Sequence, residues 1–221
     1  ISFGLVFHLL AKSSLVPKVE LTEIMRQAAS TGIPQFSCAI RPDLKDEERR
    51  HIPSIREYCG KQDGVFFLEC PREELHKNLA NISKDLTQGR FDKLRIITPL
   101  KGENRPDGAL SINEMFYKHL AAGRQPEKDG FALYEPVLWN ENNYDLELMN
   151  GTLGFVSGVS DGIEVAWEVG HLKMDNIENM ERAYAINCHR CQGSQFERVI
   201  IPIFHSKILD STMLYTAVTR A

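Results

Sequence analysis

The stretch that decides the fold lies near the carboxyl end of the chain: residues 183–204 are AYAINCHRCQGSQFERVIIPIF and residues 214–221 are LYTAVTRA. The polar loop Asn187–Gln195 sets a His, an Arg, a Gln, a Gly and a Ser close together. It leads into the apolar run Val199–Phe204, which is rich in β-branched residues and bounded by charge, as is typical of a buried strand. The second segment ends with the Thr219 hydroxyl and the Arg220 guanidinium, just after a short β-prone run. We therefore expect two polar segments beside a buried strand.

The composition is that of an ordinary soluble globular protein, since 43% of the 221 residues are apolar and 25% are charged. The net charge of −4 argues against a surface covered in basic residues, although it leaves room for a local basic groove. Neither a membrane span nor a signal peptide is expected. The odd cysteine count, without framework spacing, predicts reduced thiols and a cytoplasmic location. The five cysteines are Cys38, Cys59, Cys70, Cys188 and Cys191.

Upstream of that stretch, strand and helix patterns alternate, which predicts a parallel α/β sheet. The predicted strands are Gly64–Cys70 (buried) and Leu94–Leu100, and the predicted helices are Phe3–Ala11, Pro34–Ile40, Pro71–Leu86 and Ala109–Leu120. Ser111 and Asn113 are possible caps of the last helix. A further short strand is expected at Val16–Thr22, and the charged cluster Asp43–Arg50 is expected to be solvated.

From about Glu127 the pattern changes to short alternating strands with tight turns. Those strands are Phe131–Trp139, Thr152–Val159 and Ile163–Val169. The turn signals are Met149-Asn150-Gly151 and Ser160-Asp161-Gly162, the second of which is typical of a hairpin. We predict a small all-β insert over residues 127–178, after which the α/β pattern returns.

Several segments resemble the motifs of superfamily 1 helicases, in the RecD-like branch that includes the exodeoxyribonuclease V alpha subunit and conjugative relaxase-helicases. The family patterns are roughly T-x-H-K-S-Q-G-S-E-F (motif V) and Y-T-A-x-T-R-A (motif VI), and this chain has N-C-H-R-C-Q-G-S-Q-F and Y-T-A-V-T-R-A. The segment LTEIMRQA at residues 21–28 resembles motif IV, whose core is L-T-x-x-x-R-Q-A. The motif VI match is nearly complete, whereas the motif V match departs from the family pattern at four places.

The resemblance implies a RecA-like fold of the P-loop NTPase type, with a mostly parallel sheet flanked by helices and an inserted SH3-like β-barrel. Residues 1–126 and 179–221 would form the second RecA-like domain, called 2A, and residues 127–178 the insert, called 2B. The insert also carries the family's N-N-Y-D-L and N-G at residues 142–146 and 150–151. The family's usual Gly-Asp before them is here Tyr134-Glu135.

The resemblance assigns catalysis to two arginines. Arg220 would be the arginine finger of motif VI, and Arg26 would also point at the γ-phosphate, because a guanidinium stabilises the charge that builds there during phosphoryl transfer. Gly193 and Gln195 fall where the family has Gly and Glu near the nucleotide. Gly permits close approach of the backbone, whereas Gln195 can hydrogen-bond but carries no charge. The alternative for a single arginine is a surface ion pair.

The resemblance assigns single-stranded DNA to three other groups of residues. His189, Arg190 and Gln192 match the family's H-K-x-Q; Thr98 and Pro99 match the T-P of a segment that lines the DNA path; Asn143 and Tyr144 match the insert motif. Asn187 and Cys191 replace hydroxyl residues, which weakens hydroxyl contacts. An exposed aromatic, Tyr144 or Trp139, could stack on a base for about 1–3 kcal/mol, although aromatics also fill small barrel cores.

The Cys188-x-x-Cys191 spacing next to His189 also suggests zinc or redox chemistry. Zinc normally takes four ligands, often from two such pairs, and the sequence has no second pair. A redox pair would start a helix after an early strand rather than lie in this loop. We therefore expect no metal here.

No G-x-x-x-x-G-K-[ST] phosphate-binding loop occurs in the sequence. The resemblance therefore implies an excised C-terminal part of an ATP-dependent 5′-to-3′ helicase, inactive alone. ATP and Mg²⁺ would be held mainly by a preceding RecA-like domain, with no cofactor bound tightly here. Expected partners are single-stranded DNA and other subunits of a nuclease or transfer complex, with no membrane. The alternative is a non-motor module that binds single-stranded DNA or a protein.

Overall fold

A computed structural model describes residues 5–17, 19, 29–41, 55–60, 63–88, 91–121, 130–160, 162–206 and 209–221. The helices are α1 (Leu5–Lys12), α2 (Ile33–Ala39), α3 (Leu75–Thr87), α4 (Ala109–Ala121) and α5 (Ser211–Val218). The strands are β1 (Arg56–Glu57), β2 (Phe66–Phe67), β3 (Leu94–Thr98), β4 (Pro136–Trp139), β5 (Leu153–Gly158), β6 (Ile163–Trp167), β7 (Gly170–Met174), β8 (Met180–Arg182), β9 (Ala185–Asn187) and β10 (Arg198–Ile200). Short 3₁₀ turns precede α2 and α3.

A parallel sheet in the order β10-β3-β9 forms the centre of the α/β part. Every residue of the central strand β3 is buried, because its sequence LRIIT is covered on both faces. Helices α3 and α4 place apolar residues on one face, where Leu79, Ile112 and Phe116 pack with Tyr184. Helix α5 and the loop after β9 pack on Ile97 and Ile186 from the other face. This layering confirms an α/β sheet flanked by helices.

The second sheet is antiparallel, in the order β7-β6-β5-β4-β8. Its core contains Trp139 and Trp167, whose rings meet edge to face with centroids 6.3 Å apart. The sheet extends to Arg182, beyond the predicted end of the insert at Glu178. Among the described residues, no pairing joins the outer strands β7 and β8, so this sheet is open. The SH3-like barrel and the domain boundaries stay predictions.

A buried polar cluster joins the two sheets where the chain passes from β8 into β9. Glu135 is 2% exposed, and its carboxylate accepts hydrogen bonds from the Tyr184 hydroxyl (3.1 Å) and the Ala132 N–H (2.7 Å). Arg182 forms an ion pair with Glu135 at 3.2 Å, and its guanidinium carbon lies 3.7 Å from the centroid of the Tyr117 ring. The charge on each side chain is therefore compensated at the junction, as a buried charge requires.

Eight secondary-structure predictions are confirmed and three are wrong. The helices predicted around α1, α2, α3 and α4 and the strands predicted around β3, β4, β5 and β6 are present. By contrast, the strand predicted at Gly64–Cys70 shrinks to β2, and none of its residues is buried. The strand predicted at Val199–Phe204 shrinks to β10, because Pro202 has no N–H to donate and β10 is an edge strand among the described residues.

The segment before Thr219 and Arg220 is the third error, since it is helix α5 rather than β-prone chain. Asp210 caps this helix by accepting a hydrogen bond from the Met213 N–H at 2.7 Å. The cap and the burial of Met213, Ala217 and Val218 in the core both stabilise the helix. The prediction for Val16–Thr22 falls mostly, and that for Asp43–Arg50 falls entirely, outside the described residues.

The expected caps of α4 are also wrong, because the helix begins at Ala109 and both residues lie inside it. Asn113 is buried and links α4 to β9. Its Oδ1 accepts a hydrogen bond from the Ala185 N–H (2.7 Å), and its Nδ2 donates to the carbonyls of Arg182 (2.7 Å) and Ala185 (3.0 Å). Asn113 therefore satisfies the N–H and the carbonyl of Ala185 in β9 and the carbonyl of Arg182 in β8.

Candidate functional site

The candidate site lies at one edge of the parallel sheet, where β3 and β9 both end. Thr98 pairs with Asn187 in the strand register, and the Cys188 N–H donates to the Thr98 carbonyl at 3.0 Å. The two predicted DNA segments, which begin at these positions, are therefore neighbours. This edge, at the carboxyl ends of parallel strands, is where ligands bind in open α/β sheets.

The loop Asn187–Gln195 turns back on itself and exposes one set of side chains. The Asn187 carboxamide oxygen accepts a hydrogen bond from the Arg190 N–H at 3.0 Å, which forms the first turn. His189, Gln192 and Gln195 are exposed. Gly193 has φ +91°, a backbone conformation that favours glycine. His189, Gln192, Gly193 and Gln195 are thus presented on the outer surface of the loop, whereas Arg190 is half-buried.

The two cysteines of the loop face inward. Cys191 is fully buried and donates to the Cys188 carbonyl at 3.0 Å, while Cys188 donates to the Met213 carbonyl at 3.6 Å. A hydrogen bond between the two thiol side chains lowers the pKa of Cys188 and, together with burial, raises the pKa of Cys191. Both side chains pack with Ile186 and Ala217. They anchor the loop to the core, and all five cysteines of the chain are free.

Arg220 extends from the end of α5 to this loop. Its NH1 donates to the Ser194 carbonyl (3.4 Å) and its Nε to the Thr216 carbonyl (3.2 Å). The Arg220 carbonyl in turn accepts the Phe196 N–H at 2.8 Å. The structure therefore brings the motif V-like loop and the motif VI-like arginine together, although they lie well apart in the sequence.

A buried arginine, Arg95, packs beneath the loop Asn187–Gln195 on the side that faces the core. Arg95 on β3 is 2% exposed, and its guanidinium carbon lies 5.2 Å from the ring centroid of Phe196 and 5.6 Å from that of Phe155. One of its nitrogens donates to the Ala183 carbonyl. Burial lowers the pKa of Arg95 to about 10. Arg95 thus connects the central strand to the loop and to the antiparallel sheet.

The second predicted DNA segment forms a compact loop between β3 and α4. Thr98 is fully buried and its hydroxyl donates to the Asp107 carbonyl, while Pro99 is half-buried. The loop closes tightly at Gly108, where a Cβ would lie only 1.9 Å from the Gly102 carbonyl oxygen. The Thr98 hydroxyl therefore has a partner within the protein, and the first exposed side chain after this segment is Lys101.

Lys101 and Glu181 are two site residues that the sequence analysis missed. Arg190 forms an ion pair with Glu181 at 2.8 Å, and Lys101 approaches the other carboxylate oxygen at 3.6 Å. Lys101 follows Thr98 by three positions, which is the signal that could have found it. Glu181 carries no such signal, because only the fold places β8 beside this edge.

The insert motif forms a separate turn. The Asn143 carboxamide oxygen accepts hydrogen bonds from the N–H groups of Asp145 (3.1 Å) and Leu146 (3.0 Å), and Asn142 accepts from the Asn150 N–H at 2.9 Å. These bonds hold Tyr144 at the tip, where its side chain is 76% exposed. Trp139 is instead buried in the core, so of the two aromatics only Tyr144 offers a free face.

Arg26, the other predicted catalytic residue, lies outside the described residues. Among the residues that the structure covers, no cluster of three or more potential metal ligands occurs. No helix in the described ranges combines the length and apolarity needed to cross a bilayer.

The family comparison falls on this site. A family model for the UvrD-like helicase C-terminal domain matches residues 182–221, which include the loop and Arg220. The chain is 26% identical to the ATP-dependent RecD2 DNA helicase of Deinococcus radiodurans. The match covers 96% of this chain and 29% of that relative. The resemblance to RecD-like superfamily 1 helicases is confirmed.

A second curated relative shows the same resemblance, and a solved structure shows a similar fold. The RecBCD enzyme subunit RecD of Mycolicibacterium smegmatis is 36% identical over 39% of the chain and 16% of that subunit. The chain thus spans less than a third of the length of these curated relatives. A Bacteroides Pif1 helicase in complex with ADP-AlF3 and ssDNA superposes with a TM-score of 0.53, at 18% identity, over 91% of this chain and 49% of that one. This likeness supports the fold alone.

Proposed function

We propose that this chain is the C-terminal motor half of an ATP-dependent DNA helicase that translocates on single-stranded DNA. The observation that carries the proposal is the convergence of the motif V-like loop and Arg220, through the contacts of Arg220 with Ser194 and Phe196. These contacts connect a guanidinium suited to a nucleotide with side chains suited to a phosphate backbone. A change in the bound nucleotide can therefore change the contacts that this loop makes with DNA.

In this proposal the nucleotide is shared with another domain. ATP and Mg²⁺ are held mainly by a preceding RecA-like domain, and this chain contributes Arg220, Arg26, Gly193 and Gln195. Arg220 is half-buried, and within the part of the chain that the structure describes its guanidinium donates to backbone carbonyls and pairs with no carboxylate. It stays available to stabilise charge on the γ-phosphate.

Single-stranded DNA follows the carboxyl edge of the parallel sheet. His189, Arg190 and Gln192 contact its backbone there, beside Thr98 and Pro99. The antiparallel sheet is the SH3-like 2B insert, and its exposed Tyr144, with Asn143, adds a surface for base stacking. The polarity is 5′ to 3′, and the protein acts in the cytoplasm, where its five free cysteines stay reduced. Other subunits of a nuclease or transfer complex are its candidate protein partners.

The test compares this 221-residue chain with the complete gene product, which we propose to be longer. The isolated chain should not hydrolyse ATP, because its sequence contains no phosphate-binding loop. The complete product should hydrolyse ATP, and single-stranded DNA should stimulate the rate. DNA-stimulated hydrolysis by the pure isolated chain would contradict the division of roles.

A second candidate is a binding module without motor activity. It is favoured by Gln195, an exposed neutral side chain where the resembled motif has a carboxylate. This candidate predicts that the complete product binds single-stranded DNA with no stimulated hydrolysis. The same assay therefore separates the two candidates.

A further inference from the structure

Glu181 occupies a position between two cations that come from different segments of the site. Its Oε2 lies 2.8 Å from the NH1 of Arg190, and its Oε1 lies 3.6 Å from the Nζ of Lys101. Glu181 lies on β8, whereas the cations follow β9 and β3. The fold therefore uses one carboxylate to bridge the two loops at the carboxyl edge of the parallel sheet.

These three side chains remain open to solvent. Their exposed fractions are 54% for Lys101, 35% for Glu181 and 27% for Arg190. Together with Asn187 they line one small crevice at this edge. An incoming anion can therefore reach both cations without opening the core.

Ion pairs of this exposure are weak. Surface pairs contribute only about 0.2–1 kcal/mol each, because water competes for both partners. A phosphodiester oxygen carries the same charge as the carboxylate and forms strong charge-assisted hydrogen bonds with Arg and Lys. A DNA strand presents such groups repeatedly, so it can replace a single weakly held carboxylate.

We propose that Lys101 and Arg190 form a two-cation site for one backbone phosphate of single-stranded DNA, and that Glu181 occupies this site until DNA displaces it. The inference rests on the proposed function, because it assumes that the strand follows this edge. It adds Lys101 to the DNA-binding residues and makes Glu181 a competitor of the strand.

The experiment measures binding of a short fluorescein-labelled oligothymidylate to the 221-residue chain by anisotropy, over a series of salt concentrations. Glu181→Gln removes the competing charge and should tighten binding by about twofold to fivefold at low salt. Lys101→Ala removes one phosphate contact, so it should weaken binding and reduce the slope of log K against log salt by about 0.7. In the double variant with Lys101→Ala and Glu181→Gln, the substitution of Glu181 should increase the affinity by less than it does alone.

A matched control pair lies at the opposite edge of the same sheet. Lys93 and Glu197 form an ion pair at 2.8 Å, with exposures of 60% and 50%, beside the start of β3. Lys93→Ala and Glu197→Gln change the net charge by the same amounts as the test variants. They should leave affinity and salt slope close to those of the wild type. Thermal unfolding of each variant checks that the fold is retained.

The outcomes separate the two levels of the proposal. If the wild-type chain binds the oligonucleotide and Arg190→Ala weakens binding, the DNA track stands. If Lys101→Ala and Glu181→Gln then behave like the controls, or Glu181→Gln weakens binding in a folded protein, the two-cation site is wrong. If the wild-type chain does not bind, or Arg190→Ala has no effect, the proposed DNA track itself fails.

Discussion

At the scale of single residues, Tyr134 shows why a glycine is usual at its position in the resembled helicases. Its φ is +68°, in the left-handed region, while its side chain is 69% exposed. Its N–H is fixed by a 2.8 Å bond to the Val156 carbonyl. The next residue, Glu135, needs this turn in order to direct its carboxylate into the buried junction. The Tyr-Glu pair therefore keeps the turn at the expense of backbone strain.

Two substitutions of Tyr134 isolate this strain. Tyr134→Gly should be more stable than Tyr134→Ala by about 0.5–1 kcal/mol, because a side chain in the left-handed region costs about 1–2 kcal/mol and the greater flexibility of glycine offsets part of it. Urea denaturation of the two variants measures the difference. Glu141 is the control, since it is exposed and has no positive φ. There the order should reverse, with Ala the more stable; the same order at both positions would exclude strain at Tyr134.

Asn113 gives a second prediction at this scale. Asn113→Ala should lower the free energy of unfolding by about 1–3 kcal/mol, because it leaves the buried Ala185 N–H without a partner. Ser111→Ala, two residues earlier in the same helix and half-buried, should change it by less than about 0.5 kcal/mol. Chemical denaturation measures both. Equal losses would show that Asn113 does not hold β9 in the way described.

At the scale of elements, α5 depends on its cap. Asp210→Ala should destabilise the protein by about 1 kcal/mol and speed hydrogen exchange in the first turn of α5, because the Met213 N–H loses its acceptor. Asp210→Ser keeps an acceptor and should stay within a few tenths of a kcal/mol of the wild type. If exchange in α5 is the same in both variants, the cap does not stabilise the helix.

The elements also show what a sequence pattern can and cannot predict. Helices α3 and α4 can be predicted because their apolar periodicity is long, and strand β3 because it is a short, nearly continuous apolar run that the fold buries. The run Val199–Phe204 looked equally apolar, but its partner strands lie elsewhere in the chain, and Pro202 ends the pairing. Helix α5 is not predicted because its stability depends on a capping side chain and on packing against residues that are distant in the sequence. The apolar pattern of the sequence therefore predicts long elements that bury a face. It fails where a single residue or a partner that is distant in the sequence determines whether the element forms.

At the scale of the whole molecule, the site was predicted in its residues but not in its arrangement. The motifs identified His189, Arg190 and Arg220, and the fold brings the loop and the last arginine into contact. Glu181 and Lys101 were missed, because their meeting depends on how β8 of one sheet lies beside the loops of the other. Charge networks between distant segments have no local sequence signal.

The central claim is that the Arg220 guanidinium acts on a nucleotide while the adjacent loop binds DNA. The most direct test is single-stranded-DNA-stimulated ATP hydrolysis by the complete gene product carrying Arg220→Ala, with nucleotide and DNA affinities measured on the same protein. Hydrolysis should fall by roughly 10³–10⁵-fold, because an arginine finger stabilises transition-state charge. Arg220→Lys should restore little of it, since an ammonium cannot reproduce the planar fork.

In the same variants, nucleotide affinity should stay within about tenfold, or about 1.4 kcal/mol, of the wild type. The affinity for single-stranded DNA without nucleotide should be nearly unchanged, whereas Arg190→Ala should weaken it. Normal hydrolysis by Arg220→Ala together with loss of DNA binding would contradict the account, because it would make Arg220 a contact to the DNA backbone.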